Sequence, residues 1–124
     1  MPIIKLEAKS NVASEKLSDW GTVGIPLSEP ACQLRGTKIV APTANAPEIG
    51  VWECSIGQYR RNIPNAETMH VISGEATFTP DGGEAITLGA GDVYFFPPNT
   101  TGIWDIKRPL RKAYVLFTGD FSEN

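Results

Sequence analysis

The chain has 124 residues, 41% of them hydrophobic and 20% charged, with a formal net charge of −3. This is ordinary globular composition for a single domain, long enough to bury roughly two-thirds of its extended-chain surface. The acidic balance gives no electrostatic reason to expect nucleic acid or an anionic membrane as a partner, and no apolar run approaches the roughly 18 residues of a membrane span.

The N-terminus, MPIIKLEAKS, lacks the basic segment and apolar core of a secretory signal, so a cytoplasmic protein is expected. Residues 1–48 read as an irregular arm. EKLSDWGTVGIPLSEPA holds at most one helical turn around Ser14–Trp20 before Gly21 and Gly24 end it. Cys32 and Cys54 belong to no C-x-x-C pair and have no histidine beside them, which suits free thiols in a reducing compartment. Gly36–Pro42 is a short strand candidate.

From Gly50 the pattern changes. Val51–Ile56 is rich in β-formers, with apolar residues alternating at Trp52, Cys54 and Ile56, and Gln58–Ile63 alternates as well. Thr68–Ile72 runs into Ser73-Gly74. Ala76–Thr79 meets the hairpin signal Pro80-Asp81-Gly82-Gly83, Glu84–Leu88 follows, and Gly89–Asp92 turns the chain into Val93–Phe96. Pro97-Pro98 and the polar corner Asn99-Thr100-Thr101 lead back into Gly102–Ile106, and Lys112–Phe117 completes the set. Short strands at even spacing with turn chemistry between them predict an all-β sandwich or barrel.

Two stretches carry more than periodicity. "ETMHVISGE" and "GDVYFFPPNTTGIW" together resemble the two motifs of the cupin superfamily. The entry "GVWECSIGQYRRNIPNAETMHVISGE" and the closing "PLRKAYVLF" are similar, more narrowly, to the small single-domain cupins related to ureidoglycine aminohydrolase and the ethanolamine-utilisation proteins (DUF861). The resemblance implies an antiparallel jelly-roll β-barrel of the RmlC-like kind, with the barrel in residues 49–119 and a ligand pocket at its mouth. It also implies a homodimer, with the arm of residues 1–48 lying on the barrel or across the dimer mate, where it would bury Trp20 and Ile25.

Metal-binding cupins carry His-x-His shortly before the first-motif glutamate and another histidine in the second motif. Those places fall on Arg60 and Asn62, or Arg61 and Ile63, and on Gly102. None is histidine. His70, the only one in the chain, has the opposite strand parity to Glu67 and would point away from the barrel. One carboxylate without an inward imidazole does not make a ligand set for iron, zinc or manganese, so neither metal nor other cofactor is expected.

Strand parity then gives a candidate lining. Glu67, Met69 and Val71 share one face, Gly102, Trp104 and Ile106 another, and Lys112, Tyr114 and Leu116 a third. On the entry strand either Tyr59 and Arg61 or Arg60 and Asn62 turn inward; the resemblance favours Tyr59 and Arg61. Glu67 and Lys112 are the candidate chemical groups, Glu67 as a general base or as the partner of a ligand amine or guanidinium, Lys112 or Arg61 as holder of a carboxylate. The plain alternative is an ion pair of Glu67 with Lys112 or Arg61. Trp104 either stacks on a planar ligand or fills the core. The basic residues Arg60-Arg61, and Lys107-Arg108 with Arg111-Lys112, are solvated strand ends and a turn or an anion-facing pocket edge. Gly102, without a side chain, is expected to leave room in the pocket.

Three functions fit. The first is a metal-free cupin that binds a small polar or planar metabolite. The second is a hydrolase or lyase on a small nitrogenous acid, as the ureidoglycine aminohydrolase resemblance implies. The third is a structural or partner-binding subunit with an apolar outer patch that includes Tyr94 and Phe96.

Overall fold

The computed structural model describes residues 3–6, 11–40, 43 and 46–117. The described residues form eight strands, most of them with alternating apolar residues: β1 (Ser18–Thr22), β2 (Gln33–Val40), β3 (Glu48–Cys54), β4 (Gly57–Ile63), β5 (Ala66–Pro80), β6 (Ile86–Gly89), β7 (Val93–Phe96) and β8 (Thr100–Phe117). The only helix among the described residues is a single 3-10 turn, Ser14–Lys16. All ladders are antiparallel. The expected all-β jelly roll is the fold found, and its sheet does not close on itself. No helix among the described residues is long and apolar enough to cross a membrane.

β5 and β8 hold the two layers together because each runs through both. The first half of β5 and the last half of β8 pair with each other and, outward, with β7 and with β3-β2-β1. Their other halves pair with each other and with β6 and β4. The sequence offered four short strands here, because Ser73-Gly74 and Arg108-Pro109 look like turns. They are a corner instead. Gly74 has φ +97°, a side chain there would meet the Leu110 Cα at 2.7 Å, and the ladder slips register on both sides of it.

The first 48 residues carry more strand than expected. β2 extends the Gly36–Pro42 candidate backward to Gln33, and Ala41 and Pro42 lie outside the described residues, as does the end of the 49–119 barrel range beyond Phe117. β1, with no alternation of its own, is held by β2. Beyond β1 the chain crosses its own barrel: the Arg60 amide donates to the Ile25 carbonyl at 3.0 Å and the Leu27 amide to the Gln58 carbonyl at 2.9 Å. Trp20 and Ile25 therefore face a cleft of their own chain.

The core between the layers is aromatic at its centre. Phe96 stacks on Trp104 with ring centroids 5.9 Å apart, and Phe78 packs on both, at 5.1 and 5.0 Å. Met69, Val71, Leu88, Ile106 and Leu110 surround them, fully buried. Phe96 and Tyr94 thus point inward, because Phe96 stands opposite Glu67 and Tyr94 opposite Met69 on the inner face. The apolar residues that β7 exposes are Val93 and Phe95, in place of the expected Tyr94 and Phe96.

Candidate functional site

Three adjacent strands, β3, β8 and β5, present their inner residues at the open end of the sandwich. Trp52 stands opposite Lys112, Gly50 opposite Tyr114, and Glu48 opposite Leu116. On the other side of β8, Val71 faces Lys112, Met69 faces Tyr114, and Glu67 faces Leu116. Glu67 and Lys112 are therefore two rungs apart, and the long lysine stem closes that gap by leaning along the strand. Its Nζ donates to Glu67 Oε2 at 2.6 Å and passes Met69 Sδ at 4.0 Å. Both residues are buried, 7% exposed for Glu67 and 6% for Lys112. Arg111 is buried as well, so neither it nor Lys112 is a solvated strand end.

This ion pair is roofed by rings. Lys112 Nζ lies 4.5 Å from the Trp52 ring centroid and 5.6 Å from that of Trp104. An ammonium over an indole face, shielded from water, is attracted by the ring quadrupole as well as by its carboxylate. One rung further on, the Tyr114 hydroxyl donates to Glu48 Oε2 at 2.6 Å, and Lys38 Nζ lies 3.7 Å from the other oxygen of Glu48. Burial, and then the neighbouring Glu48, push the Tyr114 hydroxyl far above the usual phenol range, so it stays a donor.

Above these groups lies a cleft of about 480 Å³. Trp52, Trp104, Glu67, Lys112 and Tyr114 form its floor; Trp20, Val23 and Ile25 of the crossing arm and Arg61 and Asn62 of β4 form its rim. On β4 the alternation puts Tyr59 and Ile63 in the core. Arg61, of the same parity, lies exposed at the mouth, where its Nη1 donates to the Asn62 carbonyl at 3.1 Å. Arg60 turns to the outer surface and pairs with Asp81. Tyr59 is buried beside Cys54 and Cys32, and burial holds its hydroxyl protonated. Burial likewise pushes both thiols up, which leaves neither as a nucleophilic thiolate at neutral pH.

The candidate residues thus fall into one place: Glu67, Lys112, Arg61, Trp104 and Tyr114 line the cleft, Tyr59 lies deeper, and Met69 supports the ammonium. Trp52, Glu48 and Trp20 were not among them. Trp52 looked like one of three alternating apolar residues, and only the β3–β8 register shows that it stands beside Lys112.

The expected room at Gly102 is not there. A side chain at that position would run into the Thr79 backbone carbonyl and meet the Phe78 ring at 2.7 Å, so backbone and ring together already fill the space. His70 is exposed on the opposite face of β5. A transition metal does not fit these donors: of the two inward carboxylates, Glu67 is held by an ammonium and Glu48 by the Tyr114 hydroxyl and Lys38, and the place of the second-motif ligand is packed with an aromatic ring.

This antiparallel jelly roll is similar to several solved structures. A DUF861-family protein from Pseudomonas syringae pv. tomato superposes with TM-score 0.72 at 25% identity over 81% of this chain. The match takes in 43% of that protein, so this chain spans less than half of its length. A DUF861 protein from Thermotoga maritima gives 0.53 at 27% identity over 54% of this chain and 76% of its own. A putative ethanolamine utilization protein Q from Salmonella typhimurium gives 0.62 at 22% identity over 74% of both chains, a likeness of fold. No curated protein matches. The model of the EutQ-like cupin domain matches residues 44–114, more than half of the sequence, and the chain belongs to that family.

Proposed function

We propose that this cupin binds a small metabolite with a planar, partly polar body in the cleft above Glu67 and Lys112, without a metal. The observation that supports this reading is the buried ion pair, 2.6 Å long and covered by Trp52 and Trp104, at the floor of a 480 Å³ opening. Small-molecule sites have this size and this make-up, mostly apolar walls with a few fixed polar groups. Trp104 and Trp52 supply stacking surface, Tyr114 and Glu48 a hydrogen-bonding edge, and Arg61 a cation at the rim. Binding is favoured over hydrolysis because Glu67, the one candidate base at the floor, is already engaged by an ammonium.

All three tryptophans of the chain line the cleft, so their emission reports its occupation. Titration with amino acids, ureides, organic acids, amines and sugars, beside thermal-shift measurement, tests the proposal. A saturable emission change from one chemical class, with a matching rise in melting temperature, is the expected result. If no class moves either signal, the cleft is not a metabolite site.

A further inference from the structure

The cleft carries an imbalance of charge that points to a kind of ligand. Five charged residues border it: Glu48, Arg60, Arg61, Glu67 and Lys112. Glu67 and Lys112 neutralise each other. Glu48 is held by the Tyr114 hydroxyl and Lys38. Arg60 is turned outward onto Asp81. Arg61 alone has no acidic partner among the described residues; one of its nitrogens donates to a backbone carbonyl, and the others remain open to the mouth. Its charge reaches into the site, where it lowers the pKa of the Tyr59 hydroxyl against the larger effect of burial.

From this arrangement we infer that the cleft takes a small carboxylic acid with a planar apolar body, its carboxylate held by Arg61 and its body set against Trp52 and Trp104. The inference rests on the binding reading above and narrows it. A ligand ammonium would find both inner carboxylates already engaged and would have to break a buried ion pair or the Tyr114–Glu48 bond to reach one. A ligand carboxylate meets a guanidinium without an acidic partner, whose planar fork can donate to both carboxylate oxygens side by side. The apolar body fits because Trp52 and Trp104 on the floor and Trp20 at the rim give the cleft indole surface.

The test is calorimetric titration, in a buffer free of carboxylates, with matched probes that differ only in the head group: phenylacetate, phenylacetamide and phenethylamine. The acid is expected to bind at least about tenfold more tightly than the amide or the amine, the difference a charge-assisted pair supplies. Arg61→Gln should bring the acid down to the level of the amide, with Arg61→Lys between them. Arg61 is exposed and holds only a carbonyl, so both variants should fold, with unchanged melting temperature. Equal binding of acid and amide, tighter binding of the amine, or an Arg61→Gln variant that keeps full affinity for the acid would each overturn the inference and leave the binding reading standing. Binding of none of the three would overturn both.

Discussion

Two ion pairs lie on the two faces of this sandwich, and they differ in everything except their chemistry. Glu67–Lys112 is inside, with both residues buried and two indole rings over the ammonium. Arg60–Asp81 is outside, bidentate, and joined by the Thr101 hydroxyl at 2.7 Å, with both side chains open to solvent. Water can replace either partner of the outer pair at once. Neither partner of the inner pair has a substitute, so the inner pair defines the site while the outer one decorates a strand end.

The largest effect that separates them is expected from Glu67→Gln. It leaves a buried ammonium without its counter-charge and should cost about 3–5 kcal/mol in urea unfolding. The double variant Glu67→Leu/Lys112→Met should recover most of that loss, since replacing a buried pair by apolar residues of similar size is often neutral. A single variant within about 1 kcal/mol of the parent would show that the inner pair is as replaceable as the outer.

Next comes the packing beneath the pair. Gly102→Ala drives a methyl group into the Phe78 ring and should destabilise by about 1–3 kcal/mol, read by the same unfolding curves. Gly102→His should be worse, and should not gain zinc in elemental analysis.

An alkaline titration probes the groups around the floor. Cys54 and Cys32 have pKa values raised in the folded state from an ordinary 9.0, so the unfolded chain loses these protons first. Their contribution is complete below pH 9 and is lost as pH rises beyond it, each thiol adding up to about 1.4 kcal/mol per pH unit. Cys54→Ala should flatten the decline of stability between pH 9 and 10.5; an unchanged slope would mean that the thiol is not as buried as it is drawn.

The smallest effect belongs to the outer pair. The Arg60 guanidinium, with Thr101, holds Asp81 down at about 2 from 3.8, so its contribution is present at neutral pH and fades only as pH falls from about 4 to 2. Asp81→Asn should leave the urea midpoint at pH 7 nearly unmoved and remove a small acid-side inflection. A shift as large as that of Glu67→Gln would erase the distinction between the two faces.

Much of this was legible in the sequence wherever the determinant is local. Alternation located the strands after Gly50; parity put His70 on the face opposite Glu67 and grouped Lys112 with Tyr114 and Leu116, while the resemblance supplied which face of β5 turns inward. What escaped depends on neighbours far apart in the chain. β1 has no pattern of its own and exists because β2 offers it an edge. The break at Gly74 is a corner and not a turn because Pro109 and Leu110 cross there, 35 residues later in the chain for Pro109. Trp52 becomes part of the site through register with Lys112, and the apparent space at Gly102 closes because the Thr79 carbonyl and the Phe78 ring, on another strand, occupy it.

That last contact restricts where neighbouring sequences can go. To place an imidazole at position 102, the chain would first have to move the Thr79 backbone carbonyl and also shrink Phe78, and Phe78 touches both Phe96 and Trp104 at the middle of the core. Removing such a ring costs about 3–5 kcal/mol, a large part of the 5–15 kcal/mol that holds a typical domain together. Taking the steps in the other order forces a side chain into an occupied volume. Each single-step path toward a metal centre therefore passes through a sequence that folds poorly, and the aromatic packing makes the present chemistry of the cleft hard to reverse.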